Sequence, residues 1–170
     1  CSLPRRQLRK FVTAQRVQNG RRGKVAFVTL DDGKGSAEVV VFGEVYDAAR
    51  AMLREDALVV IEVKVTVRMG DDGEVQGLRV LAEQVYDLTA VRRRWGRRLK
   101  VSCNGNASAA HLAEILAPFR SDGLPVVVHY VNGVVEGDVE LSDAWRVAPD
   151  DALIARLADW LAPENVQVVY

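Results

Sequence analysis

The stretch from Gly23 to Phe42 constrains the fold most, because it reads as two strands joined by a turn. The runs Val25–Leu30 and Ala37–Phe42 are rich in β-branched and aromatic residues, which strands favour. The residues between them include aspartates and glycines, which suit a turn through side-chain hydrogen bonds and positive φ. The pattern predicts a β-hairpin with a loop longer than two residues, as in the centre of a small barrel.

The rest of the first half supplies the other strands of such a barrel. Strand composition marks Leu8–Val17, Ala57–Arg68 and Gly77–Val85, and apolar residues at helical spacing mark Gly43–Arg54. The order strand, strand, strand, helix, strand, strand is that of the OB-fold, a five-stranded barrel. OB-folds bind oligonucleotides on the face of their second and third strands.

The second half predicts a different module with the element order βαββαβ. Asn132-Gly133 is a strong signal for a two-residue hairpin turn between its middle strands. The order predicts a split βαβ arrangement, with both helices on one face of a four-stranded sheet. The expected fold class is therefore a β-barrel followed by a small α+β domain. The predicted elements are strand Leu99–Cys103, helix Ser108–Phe119, strands Val126–Val131 and Val134–Leu141, helix Asp150–Leu161 and strand Val166–Tyr170.

Charge also divides the chain in two. Residues 1–100 carry 20 Lys and Arg against 13 Asp and Glu, a net charge of +7. Residues 101–170 carry 3 against 10, a net charge of −7. We therefore expect two modules with different partners, of which only the basic one meets phosphate. The predicted organisation is a linker or disordered start at 1–7, an OB-fold at 8–86, a basic connector at 87–96 and a C-terminal module at 97–170.

Catalysis and metal binding find little support in the sequence. His111 and His129 stand in helical and strand patterns without a metal-ligand spacing around them, so both are interpreted as structural. The pair Asp31-Asp32 is typical of a turn rather than of a magnesium site. The run Gly33–Ser36 lacks the spacing and the following helix of a phosphate-binding loop. We predict no catalytic residue, no metal and no cofactor.

The compartment is expected to be the cytoplasm. No apolar run has the length of a membrane span, and no signal peptide opens the chain. Two cysteines form no disulfide framework, which fits a reducing environment. The absence of an initiator Met indicates a piece of a longer chain or a processed one.

Nucleic-acid binding is the best-supported function of the first half. Alternation in the second strand puts Phe27 and Thr29 on one face and Ala26, Val28 and Leu30 on the other. We assign Phe27 to the binding platform, where its ring stacks on a base, with a core position as the alternative. Basic residues around it would track phosphate. The predicted nucleic-acid-binding residues are Arg16, Arg21, Arg22, Lys24, Phe27, Thr29, Lys64, Arg68 and Arg79.

The second half carries a candidate protein interface. Trp145 and Arg146 precede Pro149 outside the predicted regular structure, and Trp and Arg are common interface anchors. The terminal strand is a candidate edge strand that pairs with a partner. Leu153 and Leu157 are interpreted as core. The predicted partner-binding residues are Trp145, Arg146, Val147, Trp160, Val168 and Tyr170.

These residues match a family. The stretches GKVAFVTLDDGKGSAEVVVFGEVYDAAR, LVVIEVKV and LRVLAEQVYDL resemble the C-terminal OB domain of the bacterial replicative DNA polymerase III alpha subunits. The stretches PVVVHY, DAWRVAPDDALIARLADWL and ENVQVVY resemble the domain with which that subunit holds the tau subunit of the clamp loader. The resemblance covers about residues 8–170, and the pairing of the two sets is its specific part.

The resemblance implies a non-catalytic region of the replisome. The OB module would bind single-stranded template DNA, and the last domain would tether the polymerase to the clamp-loader tau subunit. The family's palm-domain aspartates have no match here, so the segment should have no polymerase activity of its own. One alternative is the anticodon-binding region of an aminoacyl-tRNA synthetase, although Val39 and Val41 stand where such relatives carry polar or aromatic readers. The other alternative is a pure protein-interaction scaffold.

Overall fold

The computed structural model describes residues 6–20, 23–31, 33–71, 73–105 and 107–170. The chain divides into two compact units, Cys1–Leu88 and Thr89–Tyr170. The first unit has the predicted order of elements. These are β1 (Arg6–Gly20), β2 (Gly23–Asp31), β3 (Ser36–Phe42), α1 (Gly43–Ala49), β4 (Leu58–Met69) and β5 (Val75–Tyr86).

The five strands of the first unit form a closed barrel in the order β1-β2-β3-β5-β4. Strand β4 pairs antiparallel with β1 and closes the barrel, while β3 and β5 pair in parallel. Closure gives each of the five strands two neighbours, although β3 and β5 pair over only two residues each. The interior is filled by alternate side chains, including the fully buried Ala26, Val28, Leu30 and Ile61. The predicted OB-fold is confirmed.

The ends of the central elements follow from local chemistry. The backbone N–H of Gly33 donates to the Asp31 carboxylate at 2.6 Å, and Gly33 has a φ of +77°, which favours glycine. Helix α1 ends at Ala49 and is shorter than the predicted Gly43–Arg54. Leu53 is nevertheless buried in the barrel core, and its backbone N–H still bonds the Ala49 carbonyl.

The second unit contains the predicted strands and helices of the C-terminal module with adjusted ends. Its sheet has four strands in the order β10-β6-β8-β9. The elements are α2 (Leu88–Trp95), β6 (Arg98–Asn104), α3 (Ala109–Leu116), β7 (Arg120–Leu124), β8 (Val126–Val131), β9 (Glu136–Glu140), α4 (Asp151–Leu161) and β10 (Val166–Val169).

The βαβ unit is not split, which corrects the predicted topology. Strands β6 and β8 are direct parallel neighbours, with Leu99 opposite Val126 and Cys103 opposite Tyr130. A split arrangement would place β9 between them. Strand β9 has three acidic residues among its five, and all five are exposed. Charged side chains are tolerated better at an edge than inside a sheet, so β9 takes the edge.

The segment 87–96 is not a simple connector. It contains α2, whose arginines reach the first turn of α4 within the second unit. Arg92 forms an ion pair with Asp151, and an Arg93 nitrogen lies 2.6 Å from an Asp150 carboxylate oxygen. Of the predicted linker 1–7, residues 1–5 lie outside the described residues, and the backbone of residues 6 and 7 belongs to β1.

The core of the second unit lies between the sheet and the helices α3 and α4. Leu99, Leu116, Leu153 and Leu157 are fully buried there. No helix in the described part of the chain is long and apolar enough to cross a membrane.

Strand β7 was not predicted, because its sequence RSDGL lacks strand character. It pairs at Val147 with the segment that follows a short 3-10 helix, Asp143–Trp145. A Cβ on Gly123 would overlap the Val147 carbonyl, so only glycine allows this close approach.

Candidate functional site

The outer face of the barrel carries a continuous row of cross-strand neighbours. Arg16 lies opposite Phe27, Phe27 opposite Val40, Val40 opposite Leu81, and Leu81 opposite Lys64. Directly opposite residues project from the same face of a sheet. The row therefore places an aromatic ring and apolar side chains between two cations, over four strand spacings of about 4.8 Å each.

Two phenylalanines on this face each have an arginine against the ring. The guanidinium carbon of Arg16 lies 5.0 Å from the centre of the Phe27 ring, and that of Arg79 lies 5.5 Å from the centre of the Phe42 ring. Phe27 is half-buried and Phe42 is 40% exposed. Rings presented beside cations in this way can accept a stacked base while the cations meet its phosphate.

A groove of about 630 Å³ opens on the same face. Phe27, Val40, Arg68 and Arg79 line it, together with the exposed Glu38. The groove joins an apolar floor to two guanidinium groups, the combination that single-stranded nucleic acid requires. Glu38 is a negative charge in the same groove, which weakens its attraction for phosphate.

The face assigned to the third strand was wrong at two positions. Val39 and Val41 have no exposed surface and pack in the barrel core opposite Val28 and Ala26. The outer face of β3 instead carries Glu38, Val40 and Phe42, which lie opposite Thr29, Phe27 and Val25. A run of three valines has no alternation, so the pairing with β2 decides which of them point inward.

The other predicted nucleic-acid residues are spread more widely. Thr29 lies on the outer face opposite Glu38, and its carbonyl accepts a hydrogen bond from the Thr13 hydroxyl at 3.2 Å. Lys24 is exposed at the start of β2, on the opposite side of the strand from Phe27. Arg21 and Arg22 lie outside the described residues. The structure thus brings Arg16, Phe27, Thr29, Lys64, Arg68 and Arg79 onto one face.

The predicted interface of the second unit divides into core and surface. Val147 has no exposed surface and pairs with β7, so it cannot anchor a partner, which corrects that prediction. Trp145 is half-buried, with the Arg120 guanidinium carbon 5.0 Å from its ring centre. Arg146 is half-buried and lies 3.5 Å from Asp143.

The remaining predicted partner residues lie near the terminal strand and α4. Trp160 packs partly against the core and meets the His111 ring edge-on at 5.0 Å. Val168 also packs against the core, from β10. Tyr170 is 50% exposed. Of these side chains, Tyr170 is the most accessible to a partner.

Both histidines lie beside acidic side chains, and Cys103 is buried. His129 Nδ1 lies 2.6 Å from Asp138, and this hydrogen bond is the main reason why the Asp138 pKa lies below its ordinary value. Burial raises the pKa of the Cys103 thiol. Across the described residues, no three His, Cys, Asp or Glu side chains converge in a way that could hold a metal ion.

Phe42 is a surface ring that the sequence analysis above did not predict. The available signal was its position two residues beyond Val40, on the strand that pairs with β2. The sequence analysis also missed an apolar groove beside α3, lined by side chains that are far apart in sequence. No local pattern could have indicated that groove.

Comparison with known proteins agrees with both units. A family model described as an OB-fold nucleic acid binding domain matches residues 10–88, and one described as the DNA polymerase III subunit alpha C-terminal domain matches residues 111–161. The DNA polymerase III subunit alpha of Neisseria meningitidis serogroup A is 33% identical over 165 residues, covering 95% of this chain. The chain matches the C-terminal region of the DNA polymerase III alpha family. The resemblance noted in the sequence is confirmed.

Other relatives have the same name. The DNA polymerase III subunit alpha of Escherichia coli K12 is 27% identical over 165 residues, or 94% of this chain. The chain spans 14% of the length of each of these two relatives. Among solved structures, the mitochondrial single-stranded DNA binding protein Rim1 of S. cerevisiae aligns over 50% of this chain and 94% of its own, with 16% identity and a TM-score of 0.39.

Proposed function

We propose that the first unit binds single-stranded DNA weakly, with little sequence preference, through the outer face of the barrel. The observation that carries this proposal is the pair of arginine-flanked rings, Phe27 and Phe42, on the face that OB-folds use for oligonucleotides. Stacking reads no base edge, so such a platform accepts any base. In the longer polymerase, this unit would guide the template strand.

The arginines do not prevent stacking. A base must displace the cation from the ring, which costs about 0.5–1 kcal/mol at an exposed site. Stacking of a base contributes about 1–3 kcal/mol, which is larger. The displaced guanidinium of Arg16 or Arg79 then remains close enough to contact a phosphate, so the cation changes partner rather than losing one.

Fluorescence anisotropy of the full chain with labelled oligo-dT, at 50 and 200 mM salt, tests this proposal. We expect affinity to fall as salt rises, because each phosphate contact releases a counterion. Oligo-dA and mixed sequences should bind within a few-fold of oligo-dT. Salt-independent binding would contradict the proposal, and strong preference for one RNA triplet would favour an anticodon-binding role instead.

We infer that the second unit holds a protein, and that this partner is the tau subunit of the clamp loader. The match of residues 111–161 to the polymerase III alpha C-terminal domain supports this inference. Residues 101–170 carry a net charge of −7, which disfavours phosphate on that part of the unit, although the six cations of residues 89–100 bring the net charge of the whole unit to −1. We assign no catalytic step to either unit. In the longer polymerase, this segment would provide the surfaces that bind DNA and the protein partner.

Calorimetric titration of the full chain with the C-terminal part of the cognate tau subunit tests the second inference. We expect measurable heat and co-elution, with Tyr170→Ala and Trp145→Ala weakening the contact. Circular dichroism must show that each variant is folded, since Trp145 also packs against the core. A folded chain that gives neither heat nor co-elution would contradict the assignment.

A further inference from the structure

The helices leave part of the sheet of the second unit uncovered. An apolar groove of about 430 Å³ runs between α3 and the strands β8 and β9. Leu112 and Leu116 of α3 line one side, and Val128, Val139 and Leu141 line the other. Val139 is 56% exposed, so the groove is open on the side of β9.

Strand β9 is an edge strand with main-chain groups available for pairing. Leu141 donates its backbone N–H to the Val126 carbonyl at 2.9 Å, and Asn132 donates to the Val135 carbonyl at 3.1 Å. In an antiparallel pair, alternate residues bond the neighbouring strand and the residues between them point their main-chain groups the other way. The residues whose main-chain groups point away from β8 are therefore Glu136, Asp138 and Glu140.

The two faces of β9 have different chemistry. The acidic side chains of Glu136, Asp138 and Glu140 lie on the face away from the helices, where His129 and Lys100 contact Asp138. The other face carries Val139, which lines the groove, and Gly137, beside which a Cβ would find open space. A strand added here would need basic side chains on one face and apolar side chains on the other.

We propose that an extended segment of the protein partner adds to β9 as a fifth strand, with alternate apolar side chains in the groove and lysine or arginine side chains beside the acidic ones. This mode of binding uses main-chain hydrogen bonds for affinity and side-chain pockets for specificity. The proposal rests on the proposed function of the second unit, and it specifies the chemistry of the segment that this unit holds.

Charge favours a basic partner over a second copy of the chain, and exposed apolar surface marks the edge as an interaction site. Pairing of two β9 strands would set acidic side chains of one copy beside those of the other, and like charges opposite each other are destabilising. The exposed apolar surface also continues past the strand, since Val134 is 91% exposed and Val135 is 58% exposed. Contiguous apolar surface beside an open edge is typical of an interaction site.

The first arm of the test uses the full chain and the C-terminal part of the cognate tau subunit. Glu140→Pro removes an outward N–H at an edge position that tolerates proline, whereas Glu140→Ala removes only the charge. Val139→Lys places a charge at the groove. We expect Glu140→Pro and Val139→Lys to weaken binding about tenfold or more. Glu140→Ala and the remote charge reversal Glu164→Lys should change it by about threefold or less.

Amide hydrogen exchange provides a readout that a general loss of charge would not change. Binding should slow exchange at the outward-pointing amides of Glu136, Asp138 and Glu140. If tau binds while these amides stay unprotected and Glu140→Pro binds like Glu140→Ala, the fifth-strand proposal is overturned and the tau assignment stands.

The second arm separates the strand proposal from the identity of the partner. A synthetic peptide of alternating lysine and valine is compared with a peptide of the same composition in which the lysines and valines form two blocks. If tau fails to bind but the alternating peptide binds more tightly and protects the β9 amides, the strand site stands and the tau assignment falls. If neither tau nor the alternating peptide binds, both are overturned.

Discussion

Replacing Phe27 with alanine should weaken binding of single-stranded DNA about eightfold. The ring lies on the outer face of the barrel, while its neighbours Ala26 and Val28 fill the core, so the change leaves no cavity inside. Base stacking has a central value of about 2 kcal/mol, and breaking the Arg16 contact costs about 0.75 kcal/mol. The difference of about 1.2 kcal/mol corresponds to roughly an eightfold change in Kd.

Phe27→Ala should leave the phosphate contacts of the barrel unchanged. Arg16 can still reach phosphate in the variant, so the dependence of affinity on salt should keep its slope. Anisotropy of labelled oligo-dT, titrated with the full chain at several salt concentrations, measures both quantities. Phe11→Ala is a matched control, because Phe11 is 50% exposed on the same barrel but lies opposite the acidic Asp31.

Several outcomes would contradict base stacking by Phe27. Equal affinity of the folded Phe27→Ala variant and the parent chain, or an equal loss in Phe11→Ala, would show that the ring does not stack on a base. Loss of affinity with a reduced salt slope would show instead that the ring only positions Arg16. Circular dichroism of both variants establishes that the barrel is intact.

Three other outcomes are expected. Arg68→Ala combined with Arg79→Ala should reduce the slope of log affinity for single-stranded DNA against log salt concentration by about 1.4, or about 0.7 for each lost phosphate contact. Anisotropy measures this slope, and an unchanged slope would place the phosphates elsewhere. The buried Cys103 thiol, with its raised pKa, should be alkylated slowly at neutral pH and quickly on unfolding, as followed by peptide-mapped mass spectrometry; rapid labelling of the folded chain would contradict its burial. The Asp138 pKa is lowered in the folded state, so the ionised Asp138 side chain stabilises the fold. This stabilisation is complete above the ordinary Asp pKa of about 3.9, and it is lost as pH falls through the lower pKa of the folded chain. Asp138→Asn should therefore make the free energy of unfolding less sensitive to acid, as measured by urea titration at pH 5 and pH 3; an unchanged pH dependence would argue against the His129 hydrogen bond.

The barrel could be predicted because its strands alternate clearly and its turns contain residues that favour turns. Val28 and Leu30 alternate with Phe27 and Thr29, and this alone assigns the two faces of β2. The three consecutive valines of β3 have no such period, so their faces depend on the pairing with β2, which is tertiary information.

The second unit was harder to predict for the same reason. Strand β7 forms because Gly123 lets its backbone approach Val147, an event that strand propensity does not describe. Arg92 and Arg93 look like part of a basic connector in the sequence, yet their partners Asp150 and Asp151 are more than fifty residues further along the chain. Contacts of this range are set by packing and not by local pattern.

We propose that the outer face of the barrel is the single-strand binding surface. Nuclear magnetic resonance of the ¹⁵N-labelled full chain, titrated with oligo-dT, tests this location residue by residue. We expect amide shift changes concentrated at Arg16, Phe27, Val40, Leu81 and Lys64, with none on β9. Changes confined to the second unit, or no changes at DNA concentrations that saturate the anisotropy signal, would contradict it.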